Sequence, residues 1–180
     1  RTERVLVRPL TPSGHLRAGY HVVHKYVGTH CLSASIATGN AYRCFAGNNE
    51  IFDPCWVQNT RSPYVVCMRN PWTHRVVQLH VTKGFDDSFG GGAHTSPWAV
   101  TLTGGMRCVG VQGAAGDVDG YGISFGCNDG KTVLLEQPNT GSALWTIRAA
   151  RDVGNYHYKR VAGKTIAKAY FGRPSLSSGS

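Results

Sequence analysis

A chain of 180 residues, 41% of them hydrophobic, is long enough to bury a core of its own, and no apolar run approaches the ~18 residues of a helical membrane span. Glycine at 23 residues and charged residues at only 16% favour a turn-rich β-protein over a helical one. The formal net charge of +9 points to polyanionic partners: nucleic acid, anionic lipid headgroups or anionic cell-wall polymers.

Arg1-Thr2-Glu3-Arg4 reads as the start of a mature chain after removal of an export signal. Short β-type runs between turn signals then predict strands over 4–8, 20–27, 41–45, 64–67, 75–82, 98–103, 107–111, 121–127, 131–136, 143–149, 156–161 and 164–171. Within the fifth of these, Val77, Leu79 and Val81 share one face opposite Gln78 and His80. Gly84–Gly92, with three consecutive glycines, and Ala114–Gly120 are expected as loops. Pro71-Trp72 and Pro97-Trp98 each precede a strand, proline setting an extended start and tryptophan an anchor, without forming a repeat. Asp129-Gly130 between two runs is a strong hairpin signal, because both residues tolerate positive φ; Pro138-Asn139-Thr140-Gly141 is another turn. Residues 162–171 also fit a helical spacing through Ile166, Ala169 and Tyr170, but they alternate, and the strand is preferred. With no interior linker, the prediction is one extracellular β-domain over 1–173, a disulfide-stapled β-sandwich or irregular barrel with little helix, and a flexible tail at 174–180.

The cysteines, Cys31, Cys44, Cys55, Cys67, Cys108 and Cys127, are even in number and contain no Cys-x-x-Cys pair. A disulfide framework is therefore expected, and with it an oxidising, extracellular compartment. Six cysteines allow more pairings than spacing can choose among. The predicted scheme joins neighbours, Cys31–Cys44, Cys55–Cys67 and Cys108–Cys127, since each such pair brackets a turn-rich segment ending in a strand.

Tyr42-Arg43-Cys44, Ile51-Phe52-Asp53-Pro54-Cys55-Trp56, Val65-Val66-Cys67 and Pro71-Trp72 together carry a resemblance. So do Pro97-Trp98-Ala99-Val100, Gly105-Met106-Arg107-Cys108, Leu144-Trp145-Thr146 and Tyr170-Phe171 downstream. Over about residues 30–171 the chain resembles a group of secreted or envelope-associated actinobacterial domains of uncharacterised function. The resemblance implies a compartment and a disulfide-stapled β-fold, and no catalytic residues.

Several motifs suggest chemistry. His21-Val22-Val23-His24 has a His-x-x-His spacing, but on a strand the two rings point to opposite faces and no glutamate lies between them. Asp117-Val118-Asp119-Gly120-Tyr121-Gly122 begins like a calcium loop but has Tyr121 at the fifth place and Asn128 at the twelfth, which favours a simple turn. Gly122-Ile123-Ser124-Phe125-Gly126 fits the nucleophile elbow of α/β-hydrolases, and Asp152 and His157 follow in the order that fold requires. The elbow needs a helix after the serine, whereas here a hairpin turn and another strand follow. Ser124-Phe125-Gly126-Cys127-Asn128 loosely echoes the cysteine motif of L,D-transpeptidases, with Phe125 where that motif carries histidine; a disulfide at Cys127 would remove the nucleophile.

Near the carboxy terminus, Tyr156-His157-Tyr158-Lys159-Arg160 interleaves aromatics with cations, followed by Lys164 and Lys168. On a strand over 156–161, Tyr156, Tyr158 and Arg160 share a face; aromatics beside cations suit sugars or single-stranded nucleic acid. The expected function is a non-enzymatic binding or interaction module of the secreted or cell-envelope kind, without a cofactor or metal. Its expected ligand is an anionic cell-wall polymer, polysaccharide or nucleic acid, bound through Tyr156, Tyr158, Lys159, Arg160, Lys164 and Lys168. The alternatives are a small serine hydrolase at Ser124 with Asp152 and His157, and a secreted disulfide-rich inhibitor.

Overall fold

The computed structural model describes residues 1–33, 35–38, 41–58, 62–87 and 96–172, and within them every regular element is a strand. In chain order these are β1 (Glu3–Leu6), β2 (His21–Ser33), β3 (Tyr42–Ala46), β4 (Ile51–Val57), β5 (Tyr64–Cys67), β6 (Arg75–Val81) and β7 (Phe85–Asp86). They continue with β8 (Ala99–Leu102), β9 (Arg107–Gly110), β10 (Asp117–Val118), β11 (Tyr121–Cys127), β12 (Thr132–Asn139), β13 (Thr146–Asp152) and β14 (Tyr158–Phe171). The tail at 174–180 and most of the Gly84–Gly92 loop fall outside the described residues.

The chain divides into two compact units, Arg1–Val5 with Ser96–Tyr170, and Leu6–Thr95 with Phe171–Ser180. Each unit contains a closed sheet built as a meander, and the strand count decides how each ring closes. A meander reverses direction at every strand, so the first and last strands are parallel when the number is odd and antiparallel when it is even. In the second unit the ring β2-β3-β4-β5-β6 has an odd count, and its closing pair, β2 with β6, is the parallel one. In the first unit the ring β8-β9-β11-β12-β13-β14 has an even count, and β14 closes on β8 antiparallel. The closed-barrel alternative of the predicted all-β class is the one the chain adopts.

Cross-strand clamps hold both rings. Cys31 and Cys44, Cys55 and Cys67, and Cys108 and Cys127 are directly opposed on neighbouring antiparallel strands, with Cα separations of 4.0, 4.0 and 3.9 Å. These are the neighbour pairs expected from the sequence, and no cysteine is left free. Two of them lie in the interior of the five-stranded ring among Phe52, Val65, Val77, Leu79 and Val81. Gly28 of β2 serves both flanking strands there, opposite Ala46 on one side and Val81 on the other. A Cβ at Gly28 would sit 3.2 Å from a methyl of Leu79 and 3.4 Å from the Phe45 carbonyl oxygen.

Strand β4 is an element that the sequence did not announce, because Pro54 inside a run argues against a ladder. The structure accommodates it at an irregularity: the pairing with β3 shifts between Tyr42/Cys55 and Cys44/Phe52, so Pro54 falls where no regular ladder bond is needed. Beside it, the Asp53 side chain is fully buried. Its carboxylate accepts from the Ser35 hydroxyl at 2.5 Å and from the Ile36 N–H at 3.1 Å, and meets Arg43 Nε at 3.3 Å. Burial outweighs these partners and pushes its pKa up to about 6.

Two measurements follow. The folded-state pKa of Asp53 lies above its unfolded value, so the folded state binds this proton more tightly. The associated stability is complete below about pH 4 and is lost as the pH rises through about 6, with a slope of at most about 1.4 kcal/mol per pH unit. Urea unfolding from pH 4 to 7 should show that slope as the difference between wild type and Asp53→Asn; equal profiles contradict it. Replacing Cys108 and Cys127 together by alanine opens a loop with a sequence separation of 19. By the same assay it should cost about 3 kcal/mol in the chain-entropy model.

Candidate polyanion-binding site

Strand β14 is longer than its ring needs. Only Ile166–Tyr170 pairs with β8, while Tyr158–Thr165 pairs with β13 as an extended hairpin. The hairpin carries exposed Arg148, Arg151, Lys159 and Arg160, with Lys164 half-buried. The two predicted strands over 156–161 and 164–171 are thus one element, starting at Tyr158.

The predicted aromatic face is corrected at its first member. Gly154, Asn155 and Tyr156 all adopt positive φ, at 127°, 53° and 59°. These turn the chain from β13 into β14 and remove Tyr156 from the strand's alternation. Tyr156 lies in this turn with 85% of its surface exposed. Tyr158, by contrast, packs half-buried with Tyr121 and Ile123 against a cluster of Val118, Val133, Leu135 and Ala150. Lys168 is separated from the other cations by its ion pair with Glu3 at 2.9 Å, whose hydrogen bond and charge raise the lysine pKa.

That cluster belongs to the outer face of the ring, and register explains why. Phe125, Leu134 and Ala149 are successive partners across β11, β12 and β13 and are all buried. Ile123, Leu135 and Arg148 are partners on the opposite face, as are Val133, Ala150 and Arg160. The parity of β11 changes at a bulge between Ile123 and Phe125, which is where Ser124 sits. The outer face places two guanidinium groups against one ring: Arg148 lies 4.6 Å and Arg160 4.9 Å from the Tyr121 centroid. Arg148 also pairs with Glu136 at 2.6 Å. Tyr121, Arg148 and Glu136 were not foreseen as site residues, since each strand reads correctly alone but nothing in the chain reveals the register that joins them.

The hydrolase constellation is not assembled. Ser124 lies within a strand beside Leu134 and Leu135, with no helix after it. The Asp152 N–H bonds to the Lys131 carbonyl at the start of β12, which puts Asp152 two strands across from Ser124 and several residues along. At about 3.3 Å per residue and about 4.8 Å per strand, Ser124 and Asp152 are roughly 15 Å apart. The Asp152 carboxylate instead accepts from the Gly154 N–H at 2.7 Å, closing the turn that carries exposed His157. Cys127 is bonded to Cys108, so the transpeptidase-like cysteine is not a thiol.

The calcium-like segment is a tight hairpin. Asp119 and Gly120, with φ of 53° and 80°, connect β10 to β11, and Asp117 Oδ1 accepts from the Gly120 N–H. His24, His30, His74 and His80 each lie against an aromatic ring, of Tyr26, Phe45, Tyr20 and Tyr64 respectively. Among the described residues no group of three or more His, Cys, Asp or Glu side chains could hold a metal ion. Nor is any helix there long and apolar enough to cross a membrane.

Comparison with known proteins finds no matching family model, no matching curated protein and no matching solved structure.

The different surroundings of the two hairpin tyrosines predict different costs. Tyr158→Ala should lower stability by about 2 kcal/mol through loss of its contacts in the outer cluster. Tyr156→Asn should change it by less than ~0.5 kcal/mol or raise it, because asparagine tolerates positive φ. Chemical denaturation of both variants measures the contrast, and equal losses contradict it.

Proposed function

We propose that the protein is a non-enzymatic, secreted or cell-envelope module that binds anionic glycopolymers through the β13–β14 hairpin. The observation that carries this reading is the stretch of β14 that extends beyond its pairing with β8. Over Tyr158–Thr165 it is bonded to β13 and presents Lys159, Arg160 and Lys164, with Arg148 and Arg151 on the adjoining strand. Three disulfides are the chemistry of an oxidising compartment, which supports the extracellular reading.

A glycopolymer is favoured over single-stranded nucleic acid by the aromatic surroundings. Non-specific strand binders offer rings on which successive bases stack. Here Tyr121 is engaged by guanidinium groups and Tyr158 is packed into the outer cluster, leaving Tyr156 as the freely exposed ring of the hairpin.

Attraction by exposed charges fades once the Debye length falls to about 8–10 Å, near physiological salt. Retention on immobilised heparin should therefore weaken steeply with sodium chloride. Charge reversal at Lys159, Arg160 and Lys164 should reduce it more than reversal at Arg1, Arg4 and Arg8. Equal losses from the two sets would remove the hairpin from the binding surface. Exposed Lys159 contributes little to stability; circular dichroism of both sets checks the fold, because Lys164 is half-buried and Arg160 and Arg4 rest on aromatic rings.

A further inference from the structure

We propose that Arg148 and Arg160, gathered on the ring of Tyr121, form a discrete oxyanion subsite for one sulfate, carboxylate or phosphate group of the polymer, with Glu136 as its internal competitor. This deepens the glycopolymer reading and rests on it for the nature of the ligand.

Two like charges share a single aromatic ring at 4.6 and 4.9 Å from its centroid. One is compensated: Glu136 Oε2 lies 2.6 Å from an Arg148 terminal nitrogen. The other is not, since Arg160 has no ion pair among the described residues and is exposed. The two arginines on this ring therefore carry one unmatched positive charge between them. An arginine resting on an aromatic face keeps its planar fork of N–H donors and loses little further freedom when an oxyanion accepts from them. The site is built on paired strands: Arg148 opposite Leu135, Arg160 opposite Ala150, and Tyr121 opposite Val118.

Glu136 is set into this arrangement with unusual backbone geometry. It has a φ of 59° and falls where the β12–β13 pairing shifts between Leu135 and Asn139. A non-glycine residue in that region is a sparsely populated state, held by its surroundings. Its carboxylate occupies one terminal nitrogen of Arg148, on the side where an anion would compete with it. An incoming oxyanion therefore meets Arg160 unopposed and competes with Glu136 for one edge of the Arg148 guanidinium. Weak anions are turned away, and a polymer that supplies a well-shaped oxyanion is preferred.

The test is a titration of wild type with sodium sulfate, sodium acetate and sodium phosphate at constant ionic strength, following the arginine Nε–Hε signals by NMR. Saturable shifts are expected at Arg148 and Arg160, with exposed Arg75 of β6 as the unresponsive control. The tightest of the three salts identifies the polymer's charged group. Glu136→Gln should tighten binding about three- to five-fold, the scale of an exposed ion pair. Arg160→Lys should abolish saturation at Arg148 while the backbone spectrum stays folded. Linear shifts alike at Arg75, Arg148 and Arg160, or an unchanged affinity in Glu136→Gln, would overturn the subsite. Heparin retention without saturable shifts would leave a diffuse charge effect and refute the subsite alone. Saturable sulfate binding without retention would refute the glycopolymer reading and keep the subsite.

Discussion

Ring closure is the constraint from which the rest of this molecule follows. An open sheet leaves two rows of unpaired backbone groups, and a closed meander leaves none where its strands overlap. Both rings satisfy that demand with short strands, β8 and β9 contributing only Ala99–Leu102 and Arg107–Gly110. Strand β14 spans Tyr158–Phe171, and β8 covers its edge only from Ile166. The remaining length is bonded to β13, itself paired with β12, and extends the sheet beyond the edge that β8 covers. The proposed polyanion surface is therefore what closure leaves over. The lysines along it have a second consequence, since charged side chains on a strand edge discourage pairing with another chain.

The disulfides act on the same constraint from inside. A five-stranded ring encloses few side chains, and here its interior is shared by two cystines and a handful of apolar residues. Each cystine joins strands that already pair, so it fixes register rather than bringing distant segments together. Register is what a small barrel can least afford to lose, because a slip of one residue turns every inward side chain outward. In the six-stranded ring, Cys108–Cys127 fixes β9 on β11 next to the bulge at Ser124. The switch of facing at that bulge sets Tyr121 and Ile123 on the outer face and Phe125 on the inner one.

What the chain made legible divides along this line between local and non-local order. Alternation and turn residues located most strands, and the cysteine neighbours paired as their bracketing of turns suggested. Strand β4 was hidden because Pro54 carries a local signal against strands, and only the shifted β3–β4 pairing reconciles it. Tyr156 escapes the strand face because Gly154 and Asn155 favour positive φ but a tyrosine gives no sign of extending the run to a third residue. The grouping of Tyr121, Arg148 and Arg160 lay beyond reach for a different reason. It depends on the register of four strands at once, and each register is set by bulges that leave no mark in the sequence.

In the proposed site, charge and stacking would divide the work of binding by distance. The exposed Lys159 and the half-buried Lys164 act as point charges, felt over a Debye length and lost in salt. Arginines on a ring act at contact, where orientation of the donors matters and bulk salt screens less. A surface made only of the first kind attracts every polyanion alike, and its selectivity cannot exceed differences in charge density. Adding the second kind makes affinity depend on the shape of the anion. Setting a carboxylate within hydrogen-bond reach of one arginine makes it depend also on whether the ligand outcompetes that carboxylate. Selectivity of this kind needs a partner that refuses as well as one that attracts, and Glu136, held at a costly backbone angle, is the residue on this face that can refuse.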